Sequence, residues 1–301
     1  MKNFDESLKV EVSLAEEILN KYLPKECTYQ KTVVEAMEYS AMAGGKRLRP
    51  IIMKASAGLF ANPEEVKTLE PFMAALEMIH NYSLVHDDLP CMDNDEYRRG
   101  KKTTHVVYGE GMAVLAGDGL LNYAFETAAK AFDLCESLED YKRASRAMQI
   151  LGKKAGIYGM IGGQCGDILA ENTTPDEELL LYIHKNKTAA LIEAAFMIGA
   201  ILGGAADSDV EGLEKCAENV GIAFQIEDDI LDVTSSTEVL GKPVGSDEKN
   251  NKITYVTLKG LEASQKEVEE RSLEAFEIIK GYGDKGEFLG DLIKMLINRK
   301  K

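Results

Sequence analysis

Apolar positions recur along this chain at helical spacing, with almost none of the alternation a strand would need. Between residues 4 and 23 they fall at Phe4, Leu8, Val12, Ala15, Ile18, Leu19 and Leu23, a stripe that stops at Pro24. A second helix is predicted over Tyr29–Ala43, ended by Gly44-Gly45, and a third over Ile51–Phe60, with Pro50 suited to its first turn. Leu69, Phe72, Met73, Leu76, Ile79 and Ser83 carry a long helix predicted from Pro63 to about Asp88. Lys101–Gly111 reads as irregular. Helices are then predicted over Met112–Cys135 and over Leu138–Tyr158, the latter running into the glycine-rich 159–167. Pro175 opens the next, with Asp176, Glu177 and Glu178 in the first turn as the helix dipole favours. Ala189–Ala206 is nearly all apolar, Asp207–Thr234 follows, and two last helices are expected near 261–280 and 285–298. No linker, low-complexity tract or strand-like run interrupts the series. Residues 1–301 are therefore predicted to form one all-α domain, a helical bundle.

Composition sharpens this picture. With 45% hydrophobic residues, 7 prolines and no tryptophan, the chain has material for a large helical core. Lys+Arg 35 against Asp+Glu 51 gives a net charge of −16, which speaks against nucleic acid as a partner. An anionic substrate would need metal ions or a local basic pocket to overcome that charge. Cys27, Cys91, Cys135, Cys165 and Cys216 lack the paired spacing of a disulfide framework or zinc site, as expected in a reducing compartment. The apolar run 189–206 is interrupted by Glu193 and loosened by Gly199, Gly203 and Gly204, so it reads as a core helix and not a membrane span. The amino terminus is charged and amphipathic, unlike a signal peptide. The protein is expected to be soluble and cytoplasmic.

Two acidic clusters supply the candidate chemistry. His86-Asp87-Asp88-Leu89-Pro90-Cys91-Met92-Asp93 closes the long helix and is followed by Arg98-Arg99. Gln225-Ile226-Glu227-Asp228-Asp229-Ile230-Leu231-Asp232 repeats the theme far downstream. Asp228 and Asp232, four apart, share a helix face, whereas Asp229 sits about 100° round. Carboxylates in apolar helices are costly to bury unless a cation compensates them. Hard oxygen ligands without histidine pairs favour Mg²⁺, which is readily shared with substrate phosphates. The cations form two sets: Lys46 and Arg49, beside two glycines at a helix entrance, and Arg98, Arg99, Lys187 and Lys242, which accompany the carboxylates. His80 lies two turns below Asp87 on the same face, and Gln164 and Asp167 share a face of their own. Two anion sites of different character suggest a reaction between two phosphorylated molecules. No P-loop and no Ser-His-Asp or Cys-His arrangement stands out, leaving metal-assisted departure of a leaving group as the chemistry.

Taken in order, GGKRLRP, LVHDDLPCMDNDEYRRG, GGQCGD, KT and FQIEDDILD resemble the trans-isoprenyl diphosphate synthases over nearly the whole chain. The pattern is most similar to the bacterial farnesyl diphosphate synthases, with Leu89–Met92 marking two extra residues in the first motif. The resemblance implies an all-α bundle around a deep central cavity, usually a homodimer. It implies Mg²⁺, with three ions when substrate is bound, held by Asp87 and Asp93, with Asp88 close by, and by Asp228 and Asp232. Arg98, Lys187, Gln225, Lys242 and Lys252 would grip the allylic diphosphate, and Lys46, Arg49, His80 and Arg99 would hold isopentenyl diphosphate without metal. Lys187 and Thr188 would sit beside the allylic cation, and Tyr82 and Ser83 would set chain length. Asp95-Glu96-Tyr97 departs from the usual aspartate-aspartate-leucine. The expected product is farnesyl diphosphate (C15). Geranylgeranyl diphosphate (C20) synthesis is the serious rival, and a class I terpene cyclase and a non-catalytic partner subunit are the remaining readings.

Overall fold

The computed structural model describes residues 4–25, 28–170, 176–234 and 254–297. Among them run α1 (Phe4–Tyr22), α2 (Lys31–Ala41), α3 (Leu48–Gly58), α4 (Leu69–Asp87), α5 (Thr104–Tyr108), α6 (Glu110–Ala129) and α7 (Leu138–Ala155). They are followed by α8 (Met160–Ala170), α9 (Glu177–Ile183), α10 (Ala190–Gly203), α11 (Asp207–Thr234), α12 (Tyr255–Lys259), α13 (Leu261–Lys280) and α14 (Glu287–Ile297). The all-α single domain expected from periodicity is what forms. Boundaries differ where local chemistry overrides the pattern. Pro63 does not open the long helix: Asn62 caps a short 3₁₀ turn, Pro63–Glu65, and α4 starts anew at Leu69. The irregular stretch contains a two-residue hairpin, β1 (Tyr97–Arg98) against β2 (Lys101–Lys102), and the five-residue α5. A short α12 precedes the two last predicted helices. Pro175 lies outside the described residues.

The apolar run becomes α10, buried along its whole length and packed against α3, α4, α7 and α11. Ser56 of α3 donates to the Phe196 carbonyl at 2.7 Å, tying two core helices together. Glu193 is the charge this helix must bury, and Lys154 of α7 meets it while also bonding Glu214 of α11 at 2.7 Å. A paired carboxylate can stay in such a core. Glu177–Gly203 is apolar and long enough to cross a membrane, but 83% of its most apolar window is buried inside the protein.

The basic trio at 46–49 splits in two directions. Arg47, with a positive φ of 49°, turns inward and is buried. Its guanidinium bonds Glu77 of α4 at 3.0 Å and the Ala41 carbonyl at 2.8 Å. Arg47→Ala would leave Glu77 buried without its cation, and is expected to cost about 3–5 kcal/mol in urea unfolding. A loss below about 1 kcal/mol would mean that this pair contributes little. Lys46 stays exposed ahead of α3, and Arg49 faces the cavity described next.

Candidate active site

The first acidic motif is shaped by how α4 ends. Asp88 is its last capping residue, and Pro90 supplies no amide to continue it. The chain curls back instead: the Asp93 N–H donates to the Asp87 carbonyl at 2.8 Å, and the Asn94 N–H to the Leu89 carbonyl at 3.1 Å. Asp93, six residues on from Asp87, would sit on another face of a continuous helix. The curl brings its backbone directly onto Asp87. Burial, opposed by Lys187 and reinforced by Asp93, pushes the Asp87 carboxyl up from 3.8 to about 6. Lys187 and Arg98 compensate this carboxylate only in part.

Asp88 has another task. It is buried, and Arg98 clasps it through Nε at 2.7 and 3.0 Å and through a terminal nitrogen at 2.5 Å. Burial drives the Asp88 carboxyl upward against the pull of this arginine. Sequence reading placed Arg98 on substrate and Asp88 near metal; in this structure the two hold each other, and the hairpin turn is what delivers Arg98. The same turn, with Arg99 and Gly100 both at positive φ, sends Arg99 to the Gly44 carbonyl. Gly45, at φ +136°, leaves room for that guanidinium, which lies 2.6 Å from where a Cβ would stand.

Arg99, Arg49 and His80 thereby form one cationic corner. Burial and then the neighbouring Arg99 charge lower Arg49 to about 10, against the pull of Glu77. Burial, then Arg49 and Arg99, lower the His80 imidazole well below its ordinary value, so it is neutral near pH 7. An anion would relieve the two arginines, with the neutral His80 beside them as a hydrogen-bonding group.

The opposite wall comes from a π-helical turn, His184–Ala189, which sequence periodicity did not anticipate. It advances the chain by one residue at Lys187 and Thr188. Helix α8 crosses this turn so closely that a Cβ on Gly163 would lie 2.0 Å from the Lys187 nitrogen. Asp167, one turn beyond Gly163, then bonds the Lys187 ammonium at 2.6 Å. The Thr188 hydroxyl donates to Gln225 Oε1 at 2.9 Å. Gln225, Asp228 and Asp232 share one face of α11, so this bond places the second acidic motif beside Lys187, itself within electrostatic reach of Asp87. Asp229 points elsewhere: it is buried and accepts the Tyr255 N–H at 2.8 Å, anchoring α12.

One cavity of about 760 Å³ is lined by part of this set, while Asp93, Arg98, Arg99, Gln225, Asp228 and Asp232 are not among its lining residues. Arg49, His80, Asp87, Lys187 and Thr188 line it together with Tyr82 and Ser83, and Leu89, Leu121, Met160 and Ile168 make much of the rest apolar. Gln164 lines it too, a residue sequence reading noted without assigning it a task. Lys242 and Lys252 lie outside the described residues. Among the described residues no three His, Cys, Asp or Glu side chains converge as a metal cage. Open pairs of hard carboxylates, one of them under-compensated, suit a hydrated divalent cation that completes its shell with substrate oxygens.

Comparison with known proteins adds the following. The polyprenyl synthetase family model matches residues 30–285. The large subunit 1 of a heterodimeric geranylgeranyl pyrophosphate synthase from Arabidopsis thaliana, chloroplastic, is 44% identical over 271 residues, covering 88% of this chain and 72% of that protein. An FPP/GFPP synthase from Zymomonas mobilis superposes with a TM-score of 0.85 at 31% identity, covering 98% of this chain and 99% of that one. A geranyltransferase from Helicobacter pylori, solved with magnesium and isoprenyl diphosphate, gives 0.83 at 31% identity, covering 99% and 97%.

Proposed function

The chain belongs to the polyprenyl synthetase family, the trans-isoprenyl diphosphate synthases, and we propose that it joins isopentenyl diphosphate to dimethylallyl and geranyl diphosphates, releasing farnesyl diphosphate. The observation that carries this reading is one cavity lined by the Asp87 carboxylate and Lys187, by Arg49 and His80, and by an apolar wall. In this proposal Asp87 and Asp93, and opposite them Asp228 and Asp232, would hold the Mg²⁺ ions, three in all when the allylic diphosphate is bound. Bound there, Mg²⁺ would neutralise diphosphate charge and make it a better leaving group. Lys187, Arg98 and Gln225 orient that diphosphate, with Arg98 exchanging part of its bond to Asp88 for phosphate oxygens. Arg49, Arg99, His80 and Lys46 hold isopentenyl diphosphate. The neutral His80 imidazole can donate one hydrogen bond without adding a fifth charge to Arg47, Arg49, Arg98 and Arg99.

The allylic C–O bond breaks and its electron pair leaves with diphosphate. The isopentenyl double bond supplies the pair for the new C–C bond, and a proton passes from its C2 to the released diphosphate. Lys187 and Thr188, both lining the cavity, would sit beside the cation, and the apolar wall excludes water from it.

Product length rests on Tyr82, buried in the cavity wall five residues before Asp87. Its ring would stop a C15 chain, and Tyr82→Ala is expected to shift products from C15 to C20 and beyond. The C20 reading is favoured by the geranylgeranyl synthase name of the Arabidopsis relative. A Mg²⁺-dependent assay with labelled isopentenyl diphosphate and separate C5, C10 and C15 starters separates the two. A C15 starter left unextended supports farnesyl diphosphate; ready extension to C20 replaces it with the rival. The proposal includes a homodimer, supported by exposed apolar side chains such as Val107 on α5 and Leu115 on α6, and light scattering would read it.

A further inference from the structure

Among the described residues the Tyr82 hydroxyl meets no hydrogen-bond partner. Packing alone therefore fixes its ring. The aromatic contact it makes is with His86, one turn on along α4, edge to face with centroids 5.8 Å apart and planes at 80°. His86 also lines the cavity, and α6 holds it from behind. Its Nε2 lies 3.1 Å from the Val114 carbonyl oxygen and 3.8 Å from the Asp118 carboxylate. Between them the imidazole rests on bare backbone: a Cβ on Gly117 would stand 2.1 Å from Nε2 and 2.3 Å from Cδ2. Unstrained carbon contacts settle at about 3.5–4.0 Å. Any side chain at 117 would thus drive the ring more than about 1 Å off α6, into the space shared with Tyr82.

We propose that His86, seated on Gly117, fixes the Tyr82 ring and through it sets the length to which the hydrocarbon chain grows. This makes His86 a specificity-positioning residue, and it rests on the reading that Tyr82 limits chain length. The hydrogen bond to the Val114 carbonyl and the missing Cβ at Gly117 give the imidazole one place to sit. The aromatic edge it presents gives Tyr82, in turn, one orientation. Without His86 the phenol ring can swing into the vacated volume over α6 and deepen the cavity. With a methyl group at 117 both rings move toward the cavity and shorten it.

The test compares product lengths from geranyl diphosphate and isopentenyl diphosphate for wild type, His86→Ala, Tyr82→Ala and the double variant. His86→Ala is expected to raise the C20:C15 ratio by about tenfold, the scale of a pocket change of a few carbons. The double variant should match Tyr82→Ala alone, because His86 acts through that ring. Gly117→Ala should shift products the other way, toward C10. His86→Phe, which keeps a ring without the bond to Val114, should hold the ratio within about twofold of wild type and guards against a Gly117 variant that fails to fold. The ratio, not total turnover, is the readout, since a merely structural role would lower turnover without moving the ratio. A wild-type ratio in His86→Ala beside lengthened products in Tyr82→Ala overturns the proposal and leaves the Tyr82 reading standing. Unchanged products in Tyr82→Ala overturn both. Additive shifts in the double variant overturn the coupling alone.

Discussion

Asp87→Asn is expected to cut prenyl transfer by about 10³-fold while making the metal-free protein more stable at pH 7. Both effects come from one carboxylate. In the fold its pKa stands at about 6 instead of 3.8, raised first by burial and then by Asp93 and Asp88 against Lys187 and Arg98. The folded state therefore holds the proton more tightly than the unfolded chain does. That contribution to stability is full below about pH 4 and is lost as pH rises through about 6. A shift of about 2 units corresponds to about 2–3 kcal/mol of unfavourable charge at neutral pH. Asparagine removes the charge and keeps the shape. Urea unfolding in EDTA should show the variant more stable by about that amount at pH 7 and equal to wild type near pH 4. A site that destabilises its own apo fold is poised to gain from binding a cation. Asp228→Asn should match the loss of activity, and near-normal turnover in either variant would remove that residue from the metal pairs.

The second large effect is expected at Lys187. Its ammonium bonds Asp167, which is only 7% exposed, and reaches toward Asp87. Lys187→Ala removes a cation from the diphosphate site and should lower turnover by about 10²–10³-fold. It also takes the Lys187 ammonium away from a buried carboxylate. Because the lysine is partly exposed, the cost should be near the lower end for broken ion pairs, about 2–3 kcal/mol. The double variant Lys187→Ala/Asp167→Ala separates the two roles. Stability should recover to within about 1 kcal/mol, and turnover should stay low. Recovered turnover in the double variant would mean that Lys187 serves only to neutralise Asp167 and does not touch substrate.

Much of this was legible in the residues, for reasons that are local. Helical periodicity survives folding because a helix buries the face its own sequence makes apolar, so α1, α6, α10, α11 and α13 lie close to where the pattern predicted them. The i, i+3, i+7 relation of Gln225, Asp228 and Asp232 belongs to the same class, since helix geometry alone puts them on one face. Charge count and ligand type likewise pointed to a metal-assisted diphosphate site before any contact was known.

Other features depended on partners distant in sequence. Arg47 and Arg49 are chemically alike and two residues apart, yet Glu77, thirty positions on, claims the first and leaves the second facing the cavity. Asp88 and Asp87 are adjacent, but a hairpin turn brings Arg98 to Asp88, and the curl after Pro90 brings Asp93 to Asp87. Periodicity does not mark the break after Pro63, because Val66 and Leu69 keep helical spacing across it. The π-helical turn has no signature in hydrophobic spacing: the close crossing at Gly163 accompanies it, and Asp167 and Gln225 fix its side chains. The sequence by itself determined which helices exist and which residue types carry charge on their faces, because those are short-range properties of the chain. Which carboxylate faces the cavity, which arginine reaches it and which ring lines it were decided only by tertiary structure, because each depends on a contact with another helix that no local spacing specifies.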